Sequence, residues 1–395
     1  MRIIISIFGF FLFISVRANA LPGEPGDALT IFGPRPVYSN GAKPSVVFDD
    51  FGWFDSYIPE NRKKQISAWI DEWEAGKISY AAYHGLGNIE SEKAVAALGN
   101  SGRTMDLDGT YGGFNITRSA YKNYMIEAGK TAVDLGSEYI ILDGAAVSLT
   151  TLSFDDEIID QFRTYLYNNF DGQELAEMGV ADISSFNYRA YLKTEAGGSY
   201  TSSESLNNNP PNDGLWKAWK KNIILVERQF FEDWTSEIRA YATNTYSANI
   251  YFGANRYMNA RQWDLIDLFD VGVAETFLDD LGYPYYNLDH AYKNIRNFDK
   301  RFWSWNFPAN TGKFNGSNDP WGDYHLTELS RVFLAECFAA GGIYQIANGW
   351  KEYLNSDARI DMIADDLRFA RSHYELFNLD DDGEVAIVYN EAFEI

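Results

Sequence analysis

The chain has 395 residues, and 33 Lys and Arg against 56 Asp and Glu give it a formal net charge of -23. Such acidity disfavours nucleic acid and anionic membrane surfaces as partners, because both bind to basic patches. Cys337 is the single cysteine, so the chain cannot form an internal disulfide.

The first 20 residues have the pattern of a secretory signal peptide. Arg2 precedes an apolar stretch at 3–16, and "ANA" at 18–20 provides an A-x-A cleavage site. No later segment approaches the roughly 18 uninterrupted apolar residues of a membrane span. We therefore expect a soluble, secreted or periplasmic protein with no membrane anchor after cleavage.

After a Pro/Gly-rich leader at 21–44, short apolar strands alternate with amphipathic helices. Nearly continuous apolar runs are typical of strands buried on both faces, in a parallel sheet covered by helices. Eight strands predict an α/β fold, a (β/α)8 TIM barrel at 45–376. The predicted strands lie at 45–50, 78–84, 103–108 (the weakest), 139–144, 248–255, 270–276, 302–307 and 342–348.

Two segments depart from the alternation. Residues 155–215 hold two helical patterns and a polar loop, as an insertion after the fourth strand, on the face where barrel active sites form. We expect this insertion to form a wall of the cleft. An apolar run at 384–390, within the C-terminal segment 377–395, either starts a small sheet or replaces the weak third strand.

Polar residues at strand C-terminal ends are the functional candidates in a barrel, because those ends meet at one mouth. Asp143 and Glu275 are most prominent, since each acid ends an otherwise apolar strand. Two such carboxylates are what glycoside hydrolysis needs, one as nucleophile or base and one as acid. Each acid alone could instead form a salt bridge or a cap. We predict that Asp143 and Glu275 are the catalytic pair.

The mouth would also bind sugar through aromatic and polar side chains. Aromatic residues make up 16% of the chain, and Trp and Tyr stack well on sugar rings. In "VVFDDFGW", one acid of the Asp49 and Asp50 pair would bind a hydroxyl and the other would cap the next element. A rival assignment pairs Glu275 with Asp49, Asp106 or Asp108. The predicted substrate-binding residues are Asp49, His84, Asp108, Tyr111, Asn255, Trp305, Asn306, Gln345 and Asn348.

No cofactor or metal is expected. The chain has four histidines at no recognised ligand spacing, and it lacks the G-x-S-x-G, P-loop and G-x-G-x-x-G motifs. Asn378, Asp380 and Asp382 have the spacing of half an EF-hand loop, but Tyr389 occupies the twelfth position, which favours a plain turn over a calcium site.

The order of "YIILDG", "SFDDEIIDQFRTYL", "FNYRAYL", "ANIYFGAN" and "DLFDVGVAETF" resembles the barrel of family 42 beta-galactosidases and related glycoside-hydrolase-like proteins over about 45–350. The resemblance implies a (β/α)8 glycosidase fold. Those galactosidases carry an Asn-Glu pair after strand four and a Glu after strand seven, where this chain has "DGA" (143–145) and "WNF" (305–307). An Asp followed by Gly resembles instead the nucleophile strand of alpha-galactosidase-like and dextranase-like barrels, which implies Asp143 as nucleophile and Glu275 as acid/base.

The expected function is a secreted, retaining glycoside hydrolase acting on a polysaccharide, conceivably an algal or sulfated glycan such as a fucan. The alternative is a non-catalytic carbohydrate-binding barrel. Carboxyl groups about 5 to 5.5 Å apart would indicate a retaining enzyme, and about 6.5 to 9.5 Å an inverting one.

Overall fold

The computed structural model describes the backbone of most predicted strands and the helices between the third and fifth barrel strands. The described residues are 28–30, 46–49, 76–82, 95–143, 153–194, 200–211, 213–255, 265–277, 300–307, 331, 334–335, 337–338, 342–346, 365–370 and 372–373.

Eight parallel strands pair side by side in a closed ring. The ring closes because the first strand in the chain pairs with both the second and the last. Seven of the strands match predicted ones to within a few residues. In chain order the barrel strands are β1 (Ala28–Thr30), β2 (Val46–Asp49), β3 (Gly76–Ala82), β6 (Tyr139–Asp143), β7 (Tyr251–Asn255), β8 (Val271–Phe277), β9 (Arg301–Phe307) and β10 (Ile343–Ile346).

The predicted third strand was wrong. Arg103–Met105 forms strand β4, which pairs antiparallel with β5 (Tyr111–Phe114) in a separate hairpin. Its turn contains Gly109 at φ +93° and two aspartates, a composition that ends a strand after three residues. The missing barrel strand is β1, within the segment read as a leader. Three residues beside a Pro/Gly-rich stretch give too short a pattern to recognise; the run at 384–390 lies outside the described residues.

The register around the ring has the shear of a TIM barrel. Following paired residues once around returns to β3 eight residues from the starting point, and eight strands with a shear of eight define that barrel geometry. The path starts at Ala82 and runs through Asp143, Asn255, Val273 and Trp303 to Ile343. A step of two residues along β10 leads to Gln345, from which the path continues through Leu29 and Val46 to Gly76. Gly76 lies six residues before Ala82, and the two residues added on β10 bring the shift to eight.

Aromatic contacts show which strand positions face the barrel interior. The ring of Tyr139 lies 5.5 Å from that of Tyr251 and 5.6 Å from that of Trp303. Because two strands separate β6 from β9, the contact between Tyr139 and Trp303 crosses the interior. Phe252 faces the other way, with its ring 4.8 Å from Trp234 on a covering helix. Since side chains alternate along strands, these contacts assign a face to every position of the ring.

Two helices cover this side of the barrel: α1 (Ser119–Asp134) and the 33-residue α6 (Gly214–Tyr246). Asp213 caps α6 by accepting a hydrogen bond from the backbone N–H of Trp216 at 2.8 Å, and the helix ends at Ser247 in a left-handed conformation. Trp234 Nε1 donates to the carbonyl of Met125 at 3.2 Å, which joins α6 to α1.

The predicted insertion is helical and has a core of its own. The rings of Phe154 and Trp219 stack 5.2 Å apart, and Phe162 and Tyr188 pack around them. Leu107 of the hairpin belongs to the same cluster, so the segments that follow β3 and β6 form one unit. The helices of the insertion are α2 (Asp156–Asn169), α3 (Gly172–Glu177), α4 (Tyr188–Thr194) and α5 (Ser203–Asn208).

None of the helices that the structure describes is long and apolar enough to cross a membrane. The complete set of eight barrel helices remains a prediction, because several connecting segments lie outside the described residues.

Gly253→Ala tests the close approach of β7 and β8. A Cβ at this position would lie 2.9 Å from the carbonyl oxygen of Val271 and 2.6 Å from Cδ1 of Ile141, and the backbone carbonyl cannot move aside. We expect the free energy of unfolding in urea to fall by about 1–3 kcal/mol. The control is Gly172→Ala, which meets no atom within 4 Å and should change stability by less than about 1 kcal/mol. Equal effects of the two substitutions would contradict the described packing.

Candidate functional site

The strands place five of the predicted site residues at one end of the ring. Asp143 and Asn255 are the last residues of β6 and β7, and Glu275, Trp305 and Gln345 lie near the carboxyl ends of β8, β9 and β10. In a parallel barrel all carboxyl ends meet at the same mouth. The backbone therefore brings these five positions together, although they span 203 residues from 143 to 345.

All five positions also share the interior face of their strands. Asp143 and Asn255 lie four residues beyond Tyr139 and Tyr251, and Trp305 lies two beyond Trp303. Because successive residues of a strand alternate between its two faces, residues separated by an even number of positions share a face. Glu275 pairs with Trp305, and partners in a parallel ladder share a face. Gln345 lies two residues beyond Ile343, the partner of Trp303.

Two predicted substrate-binding residues fall on the opposite face. Phe48 is connected through Ile78 to Tyr139 and so holds an interior position, which puts its neighbour Asp49 on the side of the helices. Asn306 follows Trp305 and alternates with it in the same way. The register thus does not bring Asp49 and Asn306 to the interior face. Periodicity pointed to strand ends but could not choose between neighbouring residues, because the face depends on pairing across strands.

Asp143 and Glu275 occupy the same layer of the barrel interior. With eight strands and a shear of eight, interior positions form layers of four that come from alternate strands. Leu142 pairs with Ala254, which aligns Asp143 with Asn255, and Asn255 pairs with Val273 on β8. Because the strands tilt, a position at the same height along the barrel axis lies one residue further on for each strand crossed. Two steps of this kind lead from β6 to β8, so the position at the height of Asp143 is Glu275. With about 4.8 Å between strands and 3.3 Å per residue, the two Cα atoms are roughly 10 Å apart.

Below this layer, the interior side chains that the structure describes are closely packed. Tyr139 and Trp303, with exposed fractions of 2% and 0%, pack against each other across the ring. Ile141 and Val273 are also buried. On the described side of the ring, the carboxyl end is therefore the open approach to the layer of Asp143 and Glu275.

Asp106 and Asp108 lie in the hairpin rather than at a barrel strand end. Asp106 Oδ1 accepts hydrogen bonds from the backbone N–H (2.6 Å) and hydroxyl (2.8 Å) of Ser203, which tie the hairpin to the insertion. Asp108 Oδ1 accepts from the N–H and hydroxyl of Thr110 at 2.8 and 2.7 Å, and these bonds lower the pKa of the Asp108 carboxyl. Both acids thus have local structural partners, whereas Tyr111, 50% exposed on the same hairpin, keeps a surface free for contact.

Asp155 was missed by the sequence reasoning. It is 5% exposed, pairs with Arg118, accepts a hydrogen bond from the hydroxyl of Ser153 at 2.5 Å and caps α2 through the N–H of Ile158. This network fixes the start of α2 against Arg118, the N-cap residue of α1. The acidic run that starts at Asp155, directly before an apolar helical pattern, was an available N-cap signal.

Several predictions lie outside the described residues: His84, Asn348, the EF-hand-like residues Asn378, Asp380 and Asp382, and the signal peptide at 1–20. Among the residues that the structure describes, no group of three or more His, Cys, Asp or Glu could hold a metal ion.

No protein-family model matches the sequence, and no curated protein matches it significantly. Several solved structures match the chain at low sequence identity. The catalytic domain of a beta-amylase from Paenibacillus polymyxa matches at 13% identity and a TM-score of 0.51, over 86% of this chain and 97% of that one. An exo-beta-agarase matches at 8% identity and a TM-score of 0.47, over 82% of this chain and 49% of that one. A GH18 chitinase from Pseudoalteromonas aurantia matches at 11% identity and a TM-score of 0.40, over 86% and 99%.

At these identities the likeness shows the fold alone, and of these three only the beta-amylase domain exceeds a TM-score of 0.5. The chain therefore shares its fold with the beta-amylase catalytic domain. Nothing in this likeness points to family 42 in particular.

Asp106→Ala should destabilise the protein, because it leaves the partly buried N–H of Ser203 without its acceptor. The expected loss in urea unfolding is about 1–3 kcal/mol. Asp108→Ala is the matched control: it removes an exposed carboxylate that bonds only within its own turn, and its effect should be clearly smaller. If Asp106→Ala left stability unchanged but abolished hydrolysis of a glycan substrate, Asp106 would be catalytic and the structural assignment would be wrong.

Proposed function

We propose that this protein is a glycoside hydrolase that cleaves a polysaccharide, with Asp143 as nucleophile and Glu275 as general acid/base. The observation that carries the proposal is the shared layer: two acids, far apart in sequence, at the same height on the interior face of alternate strands. Barrel enzymes build their active sites from such positions at the carboxyl ends of strands.

The proposed mechanism is retaining. Carboxyl groups on positions roughly 10 Å apart at Cα would support it if they approach to about 5 to 5.5 Å, the separation of double displacement. Asp143 would attack the anomeric carbon while Glu275 donates its proton to the departing glycosidic oxygen. Glu275 would then remove a proton from the water that attacks the glycosyl-enzyme ester, which releases Asp143 as a carboxylate.

Other residues at the mouth would bind the sugar. Trp305, the ladder partner of Glu275, offers a ring for stacking, and Asn255 offers an amide to hydroxyl groups. Gln345, at the height of Val273 one layer lower, would contact only the part of a sugar that reaches deepest into the mouth. His84, Asn348 and the half-exposed Tyr111 remain proposed subsite residues, and the insertion at 155–215 would form the cleft wall. A secreted enzyme with such a wall suits an extended polymer, such as an algal or sulfated glycan.

A non-catalytic carbohydrate-binding barrel is the second candidate. It is favoured by one sequence feature, the absence of the Glu residues that family 42 enzymes carry at the positions of "DGA" (143–145) and "WNF" (305–307). A binder of this kind would retain glycan without releasing reducing ends.

The experiment screens the purified chain on a panel of polysaccharides for the release of reducing ends. The activity of two variants of the catalytic residues is then measured on the best substrate. Asp143→Asn and Glu275→Gln should each reduce kcat by about 10²–10⁴-fold or more, because each removes a group that acts in the transition state. Thermal unfolding should be unchanged within a few degrees.

Asp49→Asn is the matched control. Asp49 is an acid at the end of β2, two strands from β6 and at a position of the opposite face, so this variant should retain activity close to that of the unmutated chain. If Asp49→Asn lost as much activity as Asp143→Asn while remaining folded, the register-based assignment would fail. Proton NMR shows the anomeric configuration of the first product formed. An inverted configuration would contradict the retaining mechanism but not the assignment as a glycoside hydrolase. Glycan binding without cleavage by the unmutated chain would support the binder.

A further inference from the structure

A groove with a mixed polar and apolar lining lies outside the barrel, between the insertion and helix α6. Its volume is about 850 Å3, within the range of small-ligand sites. One wall is a face of α2 and the other a face of α6, and none of its lining residues is on a barrel strand. The groove is therefore distinct from the mouth that holds Asp143 and Glu275.

The two helix faces have an unusual composition for neighbouring helices. Helices that pack together normally present apolar residues at i, i+3, i+4 and i+7. Here the same spacing presents side-chain amides on both helices, with Tyr165 and the 46% exposed Leu225 as apolar surface between them. The amides of the groove are Gln161, Asn168, Asn169, Asn222 and Gln229.

Some polar atoms of these walls lack a partner. Asn222 is 3% exposed, and its Nδ2 and the Oε1 of Gln161 are buried without a hydrogen bond within the described part of the chain. Thr117, at 2% exposure, lines an adjoining cavity of about 190 Å3, and its Oγ1 is unpaired in the same sense. Leaving such atoms unpaired costs about 1–3 kcal/mol each, so a ligand gains affinity if these side chains turn toward the groove and it supplies the missing bonds.

The charges around the groove are already compensated. Glu157 accepts hydrogen bonds from the backbone N–H and hydroxyl of Ser119. Asp160 pairs with Arg163, and Lys122 in the adjoining cavity pairs with Asp233. What remains for a ligand is a set of neutral amide donors and acceptors beside an apolar surface formed by Tyr165, Leu225 and Val226.

We propose that the groove between α2 and α6 binds a neutral oligosaccharide. A sugar hydroxyl both donates and accepts, so one class of ligand satisfies an unpaired amide N–H and an unpaired amide oxygen. The C–H faces of sugar rings would rest on Leu225 and Tyr165. Bound at this site, a polysaccharide would be held on the outer surface of the insertion, away from the mouth.

The test uses the full chain carrying Asp143→Asn, so that the probes are not consumed. Maltohexaose, cellohexaose and agarohexaose are titrated by calorimetry, and hydrogen exchange locates the contact. At least one hexasaccharide should bind and slow amide exchange in peptides from α2 (Asp156–Asn169) and the first half of α6. No binding of any of the three at about 10 mM would overturn the proposal.

Asn222→Leu and Gln161→Leu should each weaken this binding about tenfold or more while the melting temperature stays the same or rises, since each removes an unpaired buried polar atom. Gln173→Leu is the control, an exposed glutamine on α3 outside the groove, and should bind within about twofold of the parent. Unchanged binding by both groove variants, or equal loss in the control, would overturn the proposal. These experiments measure binding and hydrogen exchange rather than hydrolysis. A result that contradicts oligosaccharide binding in the groove is therefore distinct from a result that contradicts catalysis by Asp143 and Glu275.

Discussion

Closure of eight parallel strands with a shear of eight is the constraint on which the rest of this structure depends. Every ladder pair in the ring must satisfy it together, so the contact between Tyr139 and Trp303 across the interior assigns a face to each strand residue. The same closure puts Asp143 and Glu275 in one layer. A slip of one residue in any strand would exchange its two faces and expose its apolar set.

Helix α6 connects the two parts of the described structure. Trp216, Trp219 and Ile223 near its start belong to the core of the insertion, whereas Trp234 and Ile238 further along pack on the barrel and α1. One continuous helix thus holds the insertion at a fixed position relative to the strands. The groove between α2 and α6 lies where these two parts meet, which explains why both walls come from rigid helices.

Much of the barrel could be predicted from the sequence because buried parallel strands leave a local pattern. Seven apolar runs, among them "YIILD" and "VGVAE", became barrel strands, and the two helical patterns predicted in the insertion became α2 and α4. Helices α3 and α5 were not predicted, and α5 lies in the segment predicted as a polar loop. The pattern failed where length or composition gave no local signal. Ala28–Thr30 is too short to recognise, and "RTM" at 103–105 has strand propensity but pairs with its own hairpin partner. Propensity reports that a strand forms, whereas its partner is chosen by contacts distant in the chain.

The sequence by itself determined which polar residues lie at or near the ends of strands. That depends on local apolar runs and on their interruption at Asp143, Asn255 and Glu275. Only the tertiary structure decided which of these positions share a face and a height, because both follow from pairing around a closed ring. It separated Asp143 from Asp49, two acids that look alike in sequence. The amide-lined groove likewise exists only after packing, since its walls come from helices that the sequence keeps apart.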